Sequence, residues 1–248
     1  MGEFDGKTAI ITGGTQGLGE EVAKNFAEHG ASKIVITGRN QDRGDTVCNA
    51  LSKMGCEALF VPADLRSVNA SREIVATARS HFDQIDHLVN CAADTRRGNI
   101  VDTSEQLLDD IFSVNFRAPF FIMQEVVRWM IEKNTEGSIV NVLSTSYHCG
   151  QPFLSAYSAS KAALATLTKN TAFALLKNRI RVNGIAPGWM DTPGEHAIQK
   201  SAHDAPEDWL ENAEMGQAFG RLLKPDEVAR AIGFFCSPAS GLMTGAVV

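Results

Sequence analysis

No stretch of this 248-residue chain is long and apolar enough to suggest a membrane span. Its longest apolar runs, such as Ile232-Gly233-Phe234-Phe235-Cys236, fall far below the roughly 20 residues that cross a bilayer as a helix. Basic runs are missing as well. With 23 Lys and Arg against 29 Asp and Glu, the net charge is −6, and a nucleic-acid partner is not expected. Cysteine is scarce: Cys48, Cys56, Cys91, Cys149 and Cys236 are odd in number and follow no metal or redox spacing. They read as reduced thiols in a cytoplasmic protein, and only Cys149 falls where a site is expected. No linker rich in Pro, Gly or Ser and no internal repeat divides the chain, so residues 1–248 read as a single domain. The acidic start Met1-Gly2-Glu3-Phe4-Asp5-Gly6 does not read as a signal peptide, and position 6 lacks the Ser or Thr of a myristoylation motif.

What is present is an alternation of short β-branched runs and longer helical patterns. Strands are predicted at 7–12, 33–37, 57–61, 86–89, 139–143 and 180–186. Helices are predicted after the first glycine-rich turn, at 41–54, 67–82, 104–112 and 115–133, from Tyr157 to about Leu176, and from Pro225. Strands separated by helices of ten or more residues imply βαβ units and hence a parallel sheet. The predicted fold class is α/β, a Rossmann-like doubly wound parallel sheet of about seven strands with helices on both faces. In such a sheet, ligands bind beyond the carboxyl ends of the strands. The residues with chemical character lie there.

Thr12 ends the first strand and feeds Gly13-Gly14-Thr15-Gln16-Gly17-Leu18-Gly19, after which a helix opens with Val22, Ala23, Phe26 and Ala27 on one side. Strand, glycine turn and helix N-terminus together form an anion site, because glycines admit a pyrophosphate and unpaired N–H groups attract it. No Gly-Lys-Ser/Thr follows, which excludes a P-loop. Glycine also serves tight turns that bind nothing. The second strand ends at Gly38-Arg39-Asn40, where folds selecting NAD usually place an acidic residue for the ribose 2′-hydroxyl. A guanidinium pairs instead with a 2′-phosphate, which points to NADP(H) ahead of NAD(H). An arginine left in solvent, or stacked on the adenine, is the alternative.

The segment from Ser144 to Lys161 carries the candidate chemistry. Tyr157 and Lys161 share a helix face at i, i+4. A phenol loses its proton near pH 10, and a neighbouring ammonium favours the phenolate. Ser144 ends the preceding strand, where its hydroxyl can hold a substrate oxygen. This reads as a proton-transfer site for an alcohol or a ketone. Tyr and Lys four apart also occur by chance as a solvated pair, so the assignment rests on their surroundings.

Residues 189–224 are irregular and rich in Trp, Met and His, which suits a lid over a small-molecule site. Two short helices packed through Trp and Met are the plainer reading, and both can hold. His196 and His203 could share a helix face, but no third ligand argues for a metal, and none is expected. The helices at 115–133 and 155–176 are apolar around much of their girth. One stripe suffices to cover a sheet, so the excess suggests a symmetric subunit interface or a thick core.

Together these motifs resemble the short-chain dehydrogenase/reductase family over nearly the whole chain. Thr12 to Gly19 resembles its cofactor turn, Thr-Gly-x-x-x-Gly-x-Gly. Asp64 matches the acidic residue near the adenine, with Leu65 beside it, and Asn90-Cys91-Ala92-Ala93 matches Asn-Asn-Ala-Gly imperfectly. Asn115, Ser144, Tyr157 and Lys161 fall where the family keeps its catalytic tetrad. Pro187-Gly188 and Thr192 resemble the turn and the threonine that meet the nicotinamide. The resemblance implies an NAD(P)-dependent enzyme interconverting a secondary alcohol, including that of a sugar or polyol, and a ketone. Tyr157 would exchange the proton, Lys161 would lower the Tyr pKa and bind the nicotinamide ribose, and Ser144 would hold the oxygen. Asn115 would kink its helix and hold a water. Cofactor contacts are implied at Gly13, Thr15, Gln16, Gly17, Leu18, Gly19, Arg39, Asp64, Leu65, Asn90, Ala92, Tyr157, Lys161, Pro187, Gly188 and Thr192. Ala93 stands where the family prefers Gly, and a final strand is expected to begin within 244–248. Near the site, His148, Gln151, Glu195 and His196 lean towards a polyhydroxylated substrate, and the expected assembly is a homotetramer or homodimer. The competing reading is a non-catalytic dinucleotide-binding regulator, which would be expected to have lost Ser, Tyr or Lys.

Overall fold

Six strands form in the computed structural model, which describes residues 2–148 and 150–248, so the expectation for Cys149 lies outside the described residues. They are β1 (Thr8–Thr12), β2 (Lys33–Gly38), β3 (Glu57–Pro62), β4 (His87–Asn90), β5 (Ser138–Val142) and β6 (Arg181–Ile185). All pair in parallel, in the order β3-β2-β1-β4-β5-β6. Every residue of β1, β4 and β5 is buried, which explains why Thr-Ala-Ile-Ile-Thr and Ser-Ile-Val-Asn-Val do not alternate apolar with polar. The helices are α1 (Gly17–Glu28), α2 (Gln41–Lys53), α3 (Val68–His81), α4 (Glu105–Phe112), α5 (Ala118–Glu132), α6 (Ser155–Ala174), α7 (Pro193–His203), α8 (Trp209–Met215) and α9 (Pro225–Cys236).

Each face of the sheet has its own core. Val22 and Phe26 of α1 meet Val228 and Ile232 of α9 on one side. Ile74 of α3 meets Ile122, Val126 and Trp129 of α5 on the other. Each fully buried side chain of this size contributes roughly 1.5–3 kcal/mol. Helix starts follow local chemistry: Asn40, Ser67 and Ser104 accept hydrogen bonds from Arg43, Ala70 and Leu107 backbone N–H groups, capping α2, α3 and α4. The chain builds outward from β1 to β3, then crosses to β4 and builds the other way. That reversal opens a crevice past the carboxyl ends of β1 and β4.

Three features depart from or refine the sequence reading. The sheet has six strands rather than seven. The seventh survives as a parallel bridge of Val247 to Gly184, with Gly184 N donating to Ala246 O at 2.8 Å and Ala186 N to Val248 O at 2.6 Å. The helices predicted at 104–112 and 115–133 are joined by a π-helical turn, Ser113–Arg117, closed by Ala118 N donating to Ser113 O. Such a turn inserts one extra residue and redirects the helix. The segment 189–224 folds as α7 and α8, its ends drawn together by a bridge of Met190 to Leu223. Trp209 is buried, whereas α7 has no buried residue at all. Among the described residues, no helix is long and apolar enough to cross a membrane.

Candidate active site

Three glycines of the turn, Gly13, Gly14 and Gly19, are packed too closely to carry a side chain. A Cβ on Gly13 would lie 2.9 Å from Ala92 Cα, and one on Gly19 would lie 2.3 Å from Gly13 O. Gly13 also has φ +67° and Gly17 φ +56°, where L side chains are strained. Thr12 Oγ1 accepts from Ala92 N at 3.1 Å and ties the turn to the loop after β4. Gln16, before α1, makes no side-chain cap, which leaves the first-turn N–H groups facing a cleft of about 1120 Å³. This cradle fits the pyrophosphate of a dinucleotide. The cleft wall includes Gly13, Thr15, Gln16, Gly17, Leu18, Gly19, Arg39, Asp64, Leu65, Ala92, Ser144, Tyr157, Lys161, Pro187, Gly188 and Thr192, all expected there.

One end of the cleft carries Arg39, Asp64 and Arg66. A Cβ on Gly38 would lie 2.6 Å from Thr15 Cγ2, so an acidic side chain there would displace Thr15. Arg43, in the first turn of α2, donates to Gln16 Oε1, and Gln16 itself lines the cleft. The sequence reading missed Arg43; its signal was a second basic residue four positions after Arg39. Asp64 is held at about pKa 2 by its hydrogen bonds from Arg66, with which it pairs through both oxygens.

At the other end the catalytic candidates converge. Past β5, the chain is held by Leu143 N donating to Ile185 O and Thr145 N to Pro187 O. Ser144 there accepts from Ser146 N at 3.2 Å and hydrogen-bonds Tyr157. Lys161 is buried; its Nζ donates to Val142 O at 2.7 Å and lies 5.7 Å from the Tyr157 ring centroid. Burial lowers the Lys161 pKa to about 8. The Tyr157 pKa is raised, not lowered as expected from the sequence. Burial penalises the phenolate, and the Ser144 hydrogen bond and the Arg97 charge offset this only in part. One of the three ammonium donors goes to the Val142 carbonyl, and the group lies beside the ring.

Two expected residues stay off the cleft wall. Asn90 is buried and donates to Asn141 Oδ1 at 2.8 Å, and Asn141 in turn donates to Thr168. Its side chain is held inside the sheet by that bond to Asn141 on the neighbouring strand, while Cys91, Ala92 and Ala93, past the end of β4, line the cleft. Asn115, in the π turn, accepts from Asp94 N at 2.7 Å and donates to Asp94 O and Ser160 Oγ. Ser160 Oγ donates to Tyr157 O, so Asn115 braces the turn that carries Tyr157. Of the polar residues expected near the site, Gln151 and Glu195 line the cleft, while His148 stacks on Tyr147 and His196 bonds Asp191. His203 and Arg97 line it and were not expected to. Among the described residues, no His, Cys, Asp and Glu group could hold a metal.

Comparison with known proteins defines the class. A family model described as enoyl-(acyl carrier protein) reductase matches residues 13–248. An uncharacterized oxidoreductase of Thermotoga maritima is 36% identical over 245 residues, covering 99% of this chain and 96% of the relative. A 3-oxoacyl-[acyl-carrier-protein] reductase of the same organism is 35% identical over 252 residues, covering 99% and 96%. Among solved structures, a variant of actinorhodin polyketide ketoreductase with NADPH superposes with a TM-score of 0.92 at 28% identity, covering 100% of this chain and 97% of that one. The chain belongs to the short-chain dehydrogenase/reductase family and is an oxidoreductase acting on carbonyl or alcohol groups.

Proposed function

We propose that this protein is an NADP(H)-preferring oxidoreductase that interconverts a secondary alcohol and a ketone. The observation that carries the reading is the meeting of Ser144, Tyr157 and Lys161 in one cleft with the glycine cradle. The bound cofactor would supply or accept the hydride. Backbone N–H groups from Gly13 to Gly19 would hold its pyrophosphate, Asp64 and Leu65 its adenine, and Ala92, Pro187, Gly188 and Thr192 its nicotinamide end. In reduction, Tyr157 donates its proton to the carbonyl oxygen as negative charge develops there, and Ser144 donates a second hydrogen bond. A raised Tyr157 pKa keeps the phenol in its donating form through the neutral range. In oxidation the same residue, as phenolate, takes the proton.

Support for NADP(H) over NAD(H) comes from Arg39 on the cleft wall, from the Arg43 guanidinium on Gln16, and from the crowding that an acidic residue at Gly38 would cause. A sugar or polyol substrate is favoured by the polar wall formed by Gln151, Glu195 and Gln199. We also propose a homotetrameric assembly, or a homodimer, in which α5 and α6 meet further copies. Phe120, Ile131 and Phe173 on these helices are exposed, Phe173 to 80%. A cytoplasmic location suits the free thiols of Cys48, Cys56, Cys91 and Cys236.

The test follows NADPH oxidation over a panel of ketones, ketoses and hydroxyketones, with Tyr157→Phe as control. Loss of turnover by at least a hundredfold with NADPH binding retained is expected. Unchanged turnover in the variant would remove Tyr157 from the mechanism. Cofactor binding with no turnover on any carbonyl would favour a non-catalytic regulator.

A further inference from the structure

One wall of the cleft carries a charge pair that neither hydride transfer nor cofactor binding uses. Arg97, on the loop after β4, donates through Nη2 to Glu195 Oε1 at 2.9 Å. Both side chains are largely shielded, at 14% and 13% exposure. Both line the cleft with Tyr157, close enough for their charges to act on its phenol in opposite senses.

The pair is held from two sides. Glu195 Oε1 also accepts from Trp189 Nε1 at 2.9 Å and Gln199 Nε2 at 2.7 Å. Arg97 Nη1 donates to Thr95 O at 2.8 Å, its Nε donates to His203 Nε2 at 3.3 Å, and its guanidinium lies over the Phe153 ring. Among the described residues, three bonds reach the Glu195 carboxylate, and all three fall on Oε1. Each Nη of Arg97 carries a second N–H beyond those bonds. The wall therefore presents an acceptor and donors side by side.

Charge balance decides what such a wall selects. The pair is neutral overall, so an anionic group meets Glu195 and a cationic group meets Arg97, each with repulsion. An alkyl chain would strip water from both charges and return no hydrogen bond. A neutral hydroxyl can donate to the carboxylate and accept from the guanidinium at once. Sites built to bond a substrate hydroxyl reject the analogue that lacks it strongly, because their own polar groups are then left unpaired.

We propose that the Arg97–Glu195 pair is a hydroxyl-recognition element, and that the substrate is an uncharged ketone bearing at least one hydroxyl within reach of it. The proposal rests on the ketone–alcohol reading of the site and names its substrate class.

Four ketones test it with NADPH: cyclohexanone, 2-hydroxycyclohexanone, 4-hydroxycyclohexanone and 4-oxocyclohexanecarboxylate. For the wild type, at least one hydroxyketone should exceed cyclohexanone at least tenfold in kcat/KM, and the keto acid should not exceed cyclohexanone. Glu195→Gln keeps the side-chain shape but uncovers the Arg97 charge. It should raise kcat/KM for the keto acid at least tenfold relative to the preferred hydroxyketone. A parallel fall on all four ketones, with their ratios unchanged, would make the pair a structural tie of α7 and overturn the proposal. A wild-type preference for cyclohexanone or for the keto acid would overturn it too. If none of the four is reduced although NADPH binds, the proposal fails, and turnover on the wider carbonyl panel decides whether the ketone–alcohol reading fails with it.

Discussion

A phenol taken out of water holds its proton more tightly, and a lysine taken out of water releases one more readily. Tyr157 and Lys161 show these opposite shifts within one turn of α6, the lysine reaching about 8. The sign fixes a pH profile. Lys161 is charged below about pH 8 and neutral above it, while Tyr157 stays protonated beyond its ordinary value. If the ammonium assists ketone reduction, kcat/KM should fall about tenfold per pH unit above pH 8. Lys161→Arg, whose guanidinium stays charged, should move that limb upward. A limb that stays in place would assign it to another group. At the ribose end, a charge-assisted hydrogen bond contributes about 1.5–3 kcal/mol. Arg39→Ala should therefore raise KM for NADPH roughly 10- to 100-fold and alter that for NADH much less, in steady-state kinetics. Equal effects on both cofactors would place Arg39 outside a phosphate site.

At the scale of elements, the π turn Ser113–Arg117 does the positioning. It brings Asn115 to Asp94 and Ser160, and Ser160 to the backbone of Tyr157. Asn115→Ala would leave the half-buried Asp94 N–H and the buried Ser160 hydroxyl without this partner, each omission costing about 1–3 kcal/mol. A drop of about 2–4 kcal/mol in urea unfolding is expected, with a lower kcat and little change in NADPH affinity. Wild-type stability in the variant would mean that the turn holds its shape by packing alone. Residues 189–224 differ in kind. With no buried residue, α7 lies over the cleft through polar contacts such as Arg97–Glu195. The rich Trp and Met content of residues 189–224 was legible in sequence, but which histidine faced the cleft was not. His196 bonds Asp191, and His203 reaches Arg97.

For the whole molecule, the exposed apolar faces of α5 and α6 bear on assembly. Phe173→Asp places a charge on a surface that the proposed assembly would bury. Light scattering should then report a smaller species than the wild type, with α/β secondary structure kept. An unchanged mass would free that face from any interface.

The strands, their order of appearance and the glycine turn were legible in the sequence because they depend on local properties. Buried parallel strands need β-branched runs, and a backbone with φ +67°, where a Cβ would come within 2.9 Å of Ala92, needs glycine at position 13. Ser144, Tyr157 and Lys161 were legible because their spacing sets them at a strand end and on one helix face. Tertiary structure decided what depends on distant chain. Arg43 meets Gln16, Arg97 meets Glu195, and Asn90 turns inward to Asn141, pairs separated by 27, 98 and 51 residues. It also reversed the expected shift of Tyr157. Spacing brought a lysine near, but only packing set how much water the phenol lost and gave the Lys161 ammonium to the carbonyl of Val142.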